Sequence, residues 1–273
     1  MEFFIDNLSV YANIFNRRNV LEFINKDNSL IQLKESKFFY ANAKTYQDIY
    51  TNVYELLKKK YRCEYIYLNE IFLEQILKEH NEASAVITEF YINSSKADLL
   101  IVNGTTTIYE IKTELDTLNR LEKQLLDYIK AFDRVYVITY EGFKKNIKKF
   151  LSQNEKIKNV GIKILNGDGS LTTIKKSGSF IKNYDKEYIF KSLLKKERDF
   201  FCKDDYYKAK ELFLKKSNIY VHKYFKKCLL ERKKDIEFIM KLPDSLKIVG
   251  HKLQNTLNKT QKELFLKKLN TII

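Results

Sequence analysis

Between residues 85 and 112, three β-branched and aromatic runs, AVITEFYI (85–92), ADLLIV (97–102) and TTIYEIK (106–112), follow one another across gaps too short for anything but tight turns. Such runs predict strands, and Asn103-Gly104 between the last two is a hairpin signal. An antiparallel meander of three strands is therefore the feature the rest of the chain must accommodate. Its register decides what the charged residues at its ends can do, because side chains alternate between faces with period two. A two-residue turn at Asn103-Gly104 pairs Val102 with Thr105 and puts Asp98 and Glu110 on opposite faces. A three-residue loop with Gly104 in the left-handed conformation pairs Ile101 with Thr105; Asp98, Glu110 and Lys112 then share one face, with Asp98 diagonal to Glu110. Gly104 permits the second arrangement.

Helical periodicity flanks the meander. TYQDIYTNVYELLKKKY places Ile49, Val53, Leu56 and Leu57 on one stripe, and CEYIYLNEIFLEQILKEH continues with Ile66, Leu73, Ile76 and Leu77, as two helices or one broken near Tyr61. After the strands, Asp116 is placed to cap a helix with Leu118, Leu121, Leu125, Ile129 and Phe132 on one stripe. RVYVITY reads as a buried strand, EGFKKNIKKFLSQ as a helix and NVGIKIL as a strand, before GDGSLTTIKKSGS loosens into a connector. The expected class is α/β, with an α-β-β-β-α-β core and a mixed sheet. Segment boundaries follow: an N-terminal helical segment (1–45), the core (46–170) and a helical C-terminal lobe (171–273) whose only proline, Pro243, marks a helix break.

The 273 residues carry a net charge of +15, which favours a polyanionic partner such as nucleic acid. From Asp185 onward there are 23 Lys or Arg against 12 Asp or Glu, so 23 − 12 = +11 of that excess lies in the last third. Lysines along a helix track phosphates without reading bases. The aromatics interleaved with them, Phe213, Tyr220 and Tyr224 with Leu229, recur near helical spacing and read as core. Three cysteines without paired spacing support neither a disulfide framework nor a zinc site, and fit a reducing cytoplasm. No segment reaches ~18 uninterrupted apolar residues, so neither a membrane span nor a secretory leader is expected. His80, His222 and His251 are scattered and read as non-catalytic. The GxxxxGK[ST] pattern is lacking, so an ATP-driven partner protein would have to act in trans.

Two carboxylates and a lysine on one face suit a hard divalent cation. Mg²⁺ takes oxygen ligands and keeps several waters, and it polarises a phosphate and acidifies a bound water. The carbonyl of Ile111 could supply a further oxygen, and Lys112 would stand beside the attacking water. Glu110 and Lys112 are equally what an edge strand carries in so Lys-rich a chain.

Asp98 at the start of one strand, Glu110-Ile111-Lys112 on the next and a helix after it resemble the PD-(D/E)XK nuclease superfamily over roughly residues 60–165, with Ala97 where the name-giving proline would stand. Gln124-Leu-Leu-Asp-Tyr128 is similar to the QxxxY element of RecB-type members, with Arg120 one turn earlier. The resemblance implies a restriction-endonuclease-like core, Mg²⁺ (or Mn²⁺) at Asp98, Glu110 and the Ile111 carbonyl, Lys112 assisting the water, and Gln124 and Tyr128 shaping the site. It also implies an acid on the helix before the sheet: of Glu64, Glu70, Glu74 and Glu89, Glu64 in YRCEYIY matches best. The implied activity is DNA hydrolysis, tied to mobile elements or phage defence. The alternative is a nuclease fold retained for nucleic-acid or protein binding without turnover.

Overall fold

The structure, a computed structural model, describes residues 8–26, 43–74, 84–232 and 236–273. In chain order the elements are α1 (Leu8–Ala12), α2 (Arg17–Asn25), α3 (Tyr46–Lys60), α4 (Glu64–Phe72), β1 (Ala85–Ile92), β2 (Ser95–Asn103), β3 (Thr105–Ile111), α5 (Leu121–Tyr128), β4 (Arg134–Thr139), α6 (Lys144–Ser152), β5 (Gly161–Leu165) and β6 (Leu171–Lys175). There follow α7 (Lys186–Ser192), α8 (Lys195–Arg198), α9 (Tyr206–Leu214), α10 (Asn218–Glu231), α11 (Glu237–Met240), α12 (Lys247–Leu253) and α13 (Lys259–Leu269). The class is α/β. Among the described residues no helix is long and apolar enough to cross a membrane.

Packing divides the chain into two units. One comprises Met1–Glu79, Gly167–Ser170 and Lys234–Ile273; the other comprises His80–Asn166 and Leu171–Lys233. The segments drawn from the sequence are contiguous, whereas these units are not, because the two chain ends pack together. Phe23 of α2 lies edge-on to Tyr46 and Tyr50 of α3 and to Phe265 of α13. The α3 helix starts with a capping box, the Thr45 hydroxyl accepting from the Asp48 N–H while the Asp48 carboxylate accepts from the Thr45 N–H. It ends before Tyr61, and α4 begins at Glu64, so the run containing Tyr61 is two helices. Leu73 lies just beyond α4, half-buried, while Ile76, Leu77 and His80 lie outside the described residues. Pro243 immediately precedes a short 3₁₀ turn (Asp244–Leu246) between α11 and α12, where a helix break is expected.

The second unit is built on a six-stranded mixed sheet in sequential order β1 to β6. The first three strands are antiparallel, β3–β4 and β4–β5 are parallel, and β5–β6 is antiparallel. Parallel neighbours need crossovers, which α5 and α6 supply. Leu121, Leu125 and Tyr128 of α5 belong to one core cluster with Leu100, Val102, Ile108, Val135 and Val137 of the sheet.

Two expectations change. LTTIK was expected as connector but is β6, extending the sheet beyond β5; it is half-exposed and so lacks the apolar run that marks a buried strand. Asp116 does not cap the following helix: its carboxylate accepts from the N–H and hydroxyl of Thr113, both at 2.8 Å, and closes the turn after β3. The α5 helix starts at Leu121 with no side-chain cap. Leu118, Ile129 and Phe132 still join the core from outside it.

Gly169, in the turn between β5 and β6, has a φ of +92°, and a Cβ there would meet Oε2 of Glu70 at 1.8 Å. Gly167 has open space and no such backbone. Gly169→Ala is therefore expected to lower unfolding stability by about 1–3 kcal/mol, and Gly167→Ala to change it little, as read by urea denaturation.

Candidate functional site

Register brings the charged residues together. At the β2–β3 turn Asn103 pairs with Thr105 around Gly104, whose φ is +69°, and the ladder runs on to Leu99 opposite Tyr109. One further step sets Asp98 across from Glu110. The register is neither of the two weighed from the sequence, but it has the parity of the second, so the two carboxylates share a face and stand opposite rather than diagonal. Two contacts hold the tip: Thr105 Oγ1 donates to Asp133 Oδ2 at 2.6 Å, and Lys226 Nζ donates to the Gly104 carbonyl at 2.8 Å.

Around Glu110 the polar atoms converge. Lys112 Nζ lies 2.9 Å from Glu110 Oε1 and 3.3 Å from Gln124 Oε1. The Tyr128 hydroxyl lies 2.8 Å from Glu110 Oε2 and 3.0 Å from the Lys96 carbonyl. Asp98 Oδ2 accepts from the Ile111 N–H at 2.7 Å. Gln124 and Tyr128 are one turn apart on α5, so both face β3. The side chains of Glu110 and Lys112 are only 2% and 10% exposed, while Asp98 is half-buried. Glu110, Lys112, Gln124 and Tyr128 thus form one hydrogen-bonded group, with Asp98 held beside it by the Ile111 N–H. For Ile111 the expectation concerned its carbonyl oxygen; the contact described is made by its N–H. Arg120, at the N-cap of α5, is exposed.

Burial pushes the Glu110 carboxyl above the usual carboxylate range, opposed by the Lys112 ammonium and by hydrogen bonds from Lys112, Tyr128 and Gln124. Burial, and then the Glu110 charge, push the Tyr128 hydroxyl far up, so it stays a donor at neutral pH. Asp98 and Glu110 suit a cation that binds through one or two carboxylates and keeps its waters. Among the described residues no group of three or more His, Cys, Asp or Glu side chains is placed to hold a metal. That donor set fits Mg²⁺ or Mn²⁺ better than zinc, which calls for three or four nitrogen, sulfur or carboxylate ligands.

The other candidate acids are placed differently. Glu64 opens α4 in the first unit, exposed. Glu70 is buried there, its carboxylate 2.6 Å from the Tyr54 hydroxyl and 3.0 Å from Lys58 Nζ. Glu74 is half-buried. Glu89 occupies the position in β1 that faces Asp98, between the Thr88–Leu99 and Phe90–Ala97 pairs, with a φ of +57° that takes it out of the ladder. Of the histidines, His222 is buried, its Nδ1 2.9 Å from the Tyr184 hydroxyl, and His251 packs against Phe72. Cys63 is half-buried, its thiol pushed up by burial.

Sequence reasoning missed the supports beneath this group. Asp127 accepts from Asn93 and Ser95 at 2.9 and 2.6 Å, tying the β1–β2 turn to α5. Asn93-Ser94-Ser95 after an apolar strand was the available turn signal, but its partner lies more than thirty residues away.

Truncating Lys112 leaves a carboxylate buried without its cation. Lys112→Ala is expected to cost about 3–5 kcal/mol at neutral pH. The loss should shrink on acidification, because a Glu110 carboxyl whose folded pKa is raised stabilises the fold as it takes up its proton and weakens it as pH rises through that pKa. Urea denaturation across pH 4 to 8 reads both effects, and Glu110→Gln in the same background should recover part of the loss.

A family model described as bacteriophage P4 protein cII matches residues 57–269 of the chain. Protein cII of Enterobacteria phage P4 is 34% identical over 61 residues, a stretch spanning 22% of this chain and 23% of that protein. No solved structure matches.

Proposed function

The chain belongs to the bacteriophage P4 protein cII family, and we propose that it is a Mg²⁺-dependent phosphodiesterase of the PD-(D/E)XK type that hydrolyses DNA. The observation that carries this reading is the convergence of Asp98, Glu110 and Lys112 on one sheet face, with Lys112 Nζ 2.9 Å from Glu110. Asp98 and Glu110 hold the ion, which, when bound, polarises the phosphate and lowers the pKa of a bound water. Lys112 orients the attacking water and neutralises charge building on the phosphate. Gln124 and Tyr128 position Lys112 and Glu110, each by a direct hydrogen bond. The carbonyl of Ile111 is assigned a supporting role at the ion; Glu64, in the first unit, is given none. Mn²⁺ substitutes for Mg²⁺ because it takes the same oxygen donors. The net charge of +15 supports a polynucleotide substrate. The phage origin of the matched relative supports a place in mobile-element biology, with the protein working in the cytoplasm alone or with a partner acting in trans.

A second reading is favoured by one observation: Glu110 is almost wholly enclosed by Lys112, Tyr128 and the core. On that reading the fold binds nucleic acid or protein without turnover, and the ion pair is structural.

Incubation of plasmid and single-stranded DNA with Mg²⁺, Mn²⁺ or EDTA separates the two. Metal-dependent cutting is expected for the wild type. Asp98→Asn and Lys112→Ala should each reduce it by roughly 10²–10³-fold or more, with retained fold checked by circular dichroism. Because burial raises the Glu110 carboxyl and protons compete with metal for it, apparent Mg²⁺ affinity should fall as pH drops, as read by calorimetric titration at a series of pH values. Absence of product with either metal, with DNA binding unaffected by Asp98→Asn, supports the second reading.

A further inference from the structure

The basic helical segment of the second unit carries a feature its core does not need. Phe213 and Leu229, grouped from the sequence with Tyr220 and Tyr224, are buried as expected, but the two tyrosines are not. Tyr224 is half-buried, its hydroxyl donating to the Glu197 carbonyl oxygen. Tyr220 lies nearly parallel to it, with centroids 6.4 Å apart and an interplanar angle of 5°. Phe200 lies against the same Tyr224 ring, at 5.1 Å and 30°. Its neighbour Phe201 does the packing, edge-on to Phe213 and Tyr224. Phe200 is left 65% exposed and Tyr220 38% exposed.

A single exposed ring is ordinary. Three rings, two from α10 and one from the turn after α8, with planes 5° and 30° apart and cations at their border, form a surface with a defined chemistry. Lys216 Nζ stands 5.3 Å from the Tyr220 ring centre. Lys223 is exposed on α10 between the two tyrosines, and Lys227 follows one turn on, while Glu231 is the helix's only acid. Of the nearby acids, Glu197 and Asp204 are paired with Arg232 and Lys195, and Asp199 directly precedes Phe200. Flat π faces spaced along a lysine-bearing helix match a chain of alternating bases and phosphates.

We infer that the Phe200–Tyr224–Tyr220 ladder, with Lys216 and Lys223, is a stacking platform for unpaired bases of single-stranded DNA. A duplex hides its base faces in the stack, so the platform discriminates by strandedness and not by sequence. The choice of DNA rests on the proposed nuclease reading; stacking itself does not.

The test is equilibrium anisotropy of fluorescein-labelled oligo(dT) and of a duplex of equal length, in EDTA and at fixed salt, so that no cutting intervenes. Phe200→Ala and Tyr220→Ala should each weaken oligo(dT) binding about tenfold and leave duplex binding and the salt slope unchanged. Phe200→Leu, which keeps apolar bulk without a flat face, should lose as much as Phe200→Ala. Lys223→Ala should weaken both ligands and flatten the salt slope. Failure of the wild type to bind oligo(dT), equal losses for strand and duplex, or full affinity in Phe200→Leu would each overturn the platform. Platform binding without metal-dependent cutting would thus leave this inference standing and sink the nuclease reading, and cutting with ring variants that bind normally would do the reverse.

Discussion

One register holds the candidate site together. Pairing Asn103 with Thr105 around a left-handed Gly104 puts Asp98 and Glu110 on a common face, and a slip of one residue would send them to opposite layers. A hairpin tip alone specifies register weakly, and here it is reinforced from outside. Asp133 takes the hydroxyl of Thr105, whose oxygen also lies 3.4 Å from His222 Nε2, and Lys226 reaches the Gly104 carbonyl. The helix that carries the stacked tyrosines therefore also clamps the turn that sets the carboxylates.

The second constraint is electrostatic. Enclosing Glu110 is unfavourable for its charged form, and Lys112, Tyr128 and Gln124 offset that cost with an ammonium and two hydrogen-bonding side chains. Such a pair adds little net stability over an apolar substitute but penalises loss of either partner. On the proposed reading, a cation held by Asp98 and Glu110 would take over the stabilisation that the Lys112 ammonium provides to Glu110. Asp98, by contrast, is only half-buried.

The strands β1 to β5 and the helices α3 and α4 were legible because their apolar residues recur at strand or helix period. Strand β6 was not, since Leu171 and Ile174 are half-exposed and Thr172 and Thr173 face solvent. Asp116 misled because an aspartate ahead of a helical stripe serves a turn as well as a cap, and Thr113 supplied the nearer donors. The site residues were visible as a spacing, whereas their burial and the shared Glu110 contacts depend on α5 packing across the sheet. Tyr220 and Tyr224 showed helical spacing without showing which face of α10 the core would claim. The joining of the chain ends through Phe23 and Phe265 had no local signal at all.

The proposed activity requires Asp98 and Glu110 to grip one ion. Anomalous diffraction from crystals soaked in Mn²⁺ addresses this directly: a peak is expected between the two carboxylates with oxygen contacts of about 2.1–2.2 Å, and with the Lys112 ammonium moved off Glu110. A strong peak elsewhere, or none while the Glu110–Lys112 contact persists at saturating Mn²⁺, would contradict it.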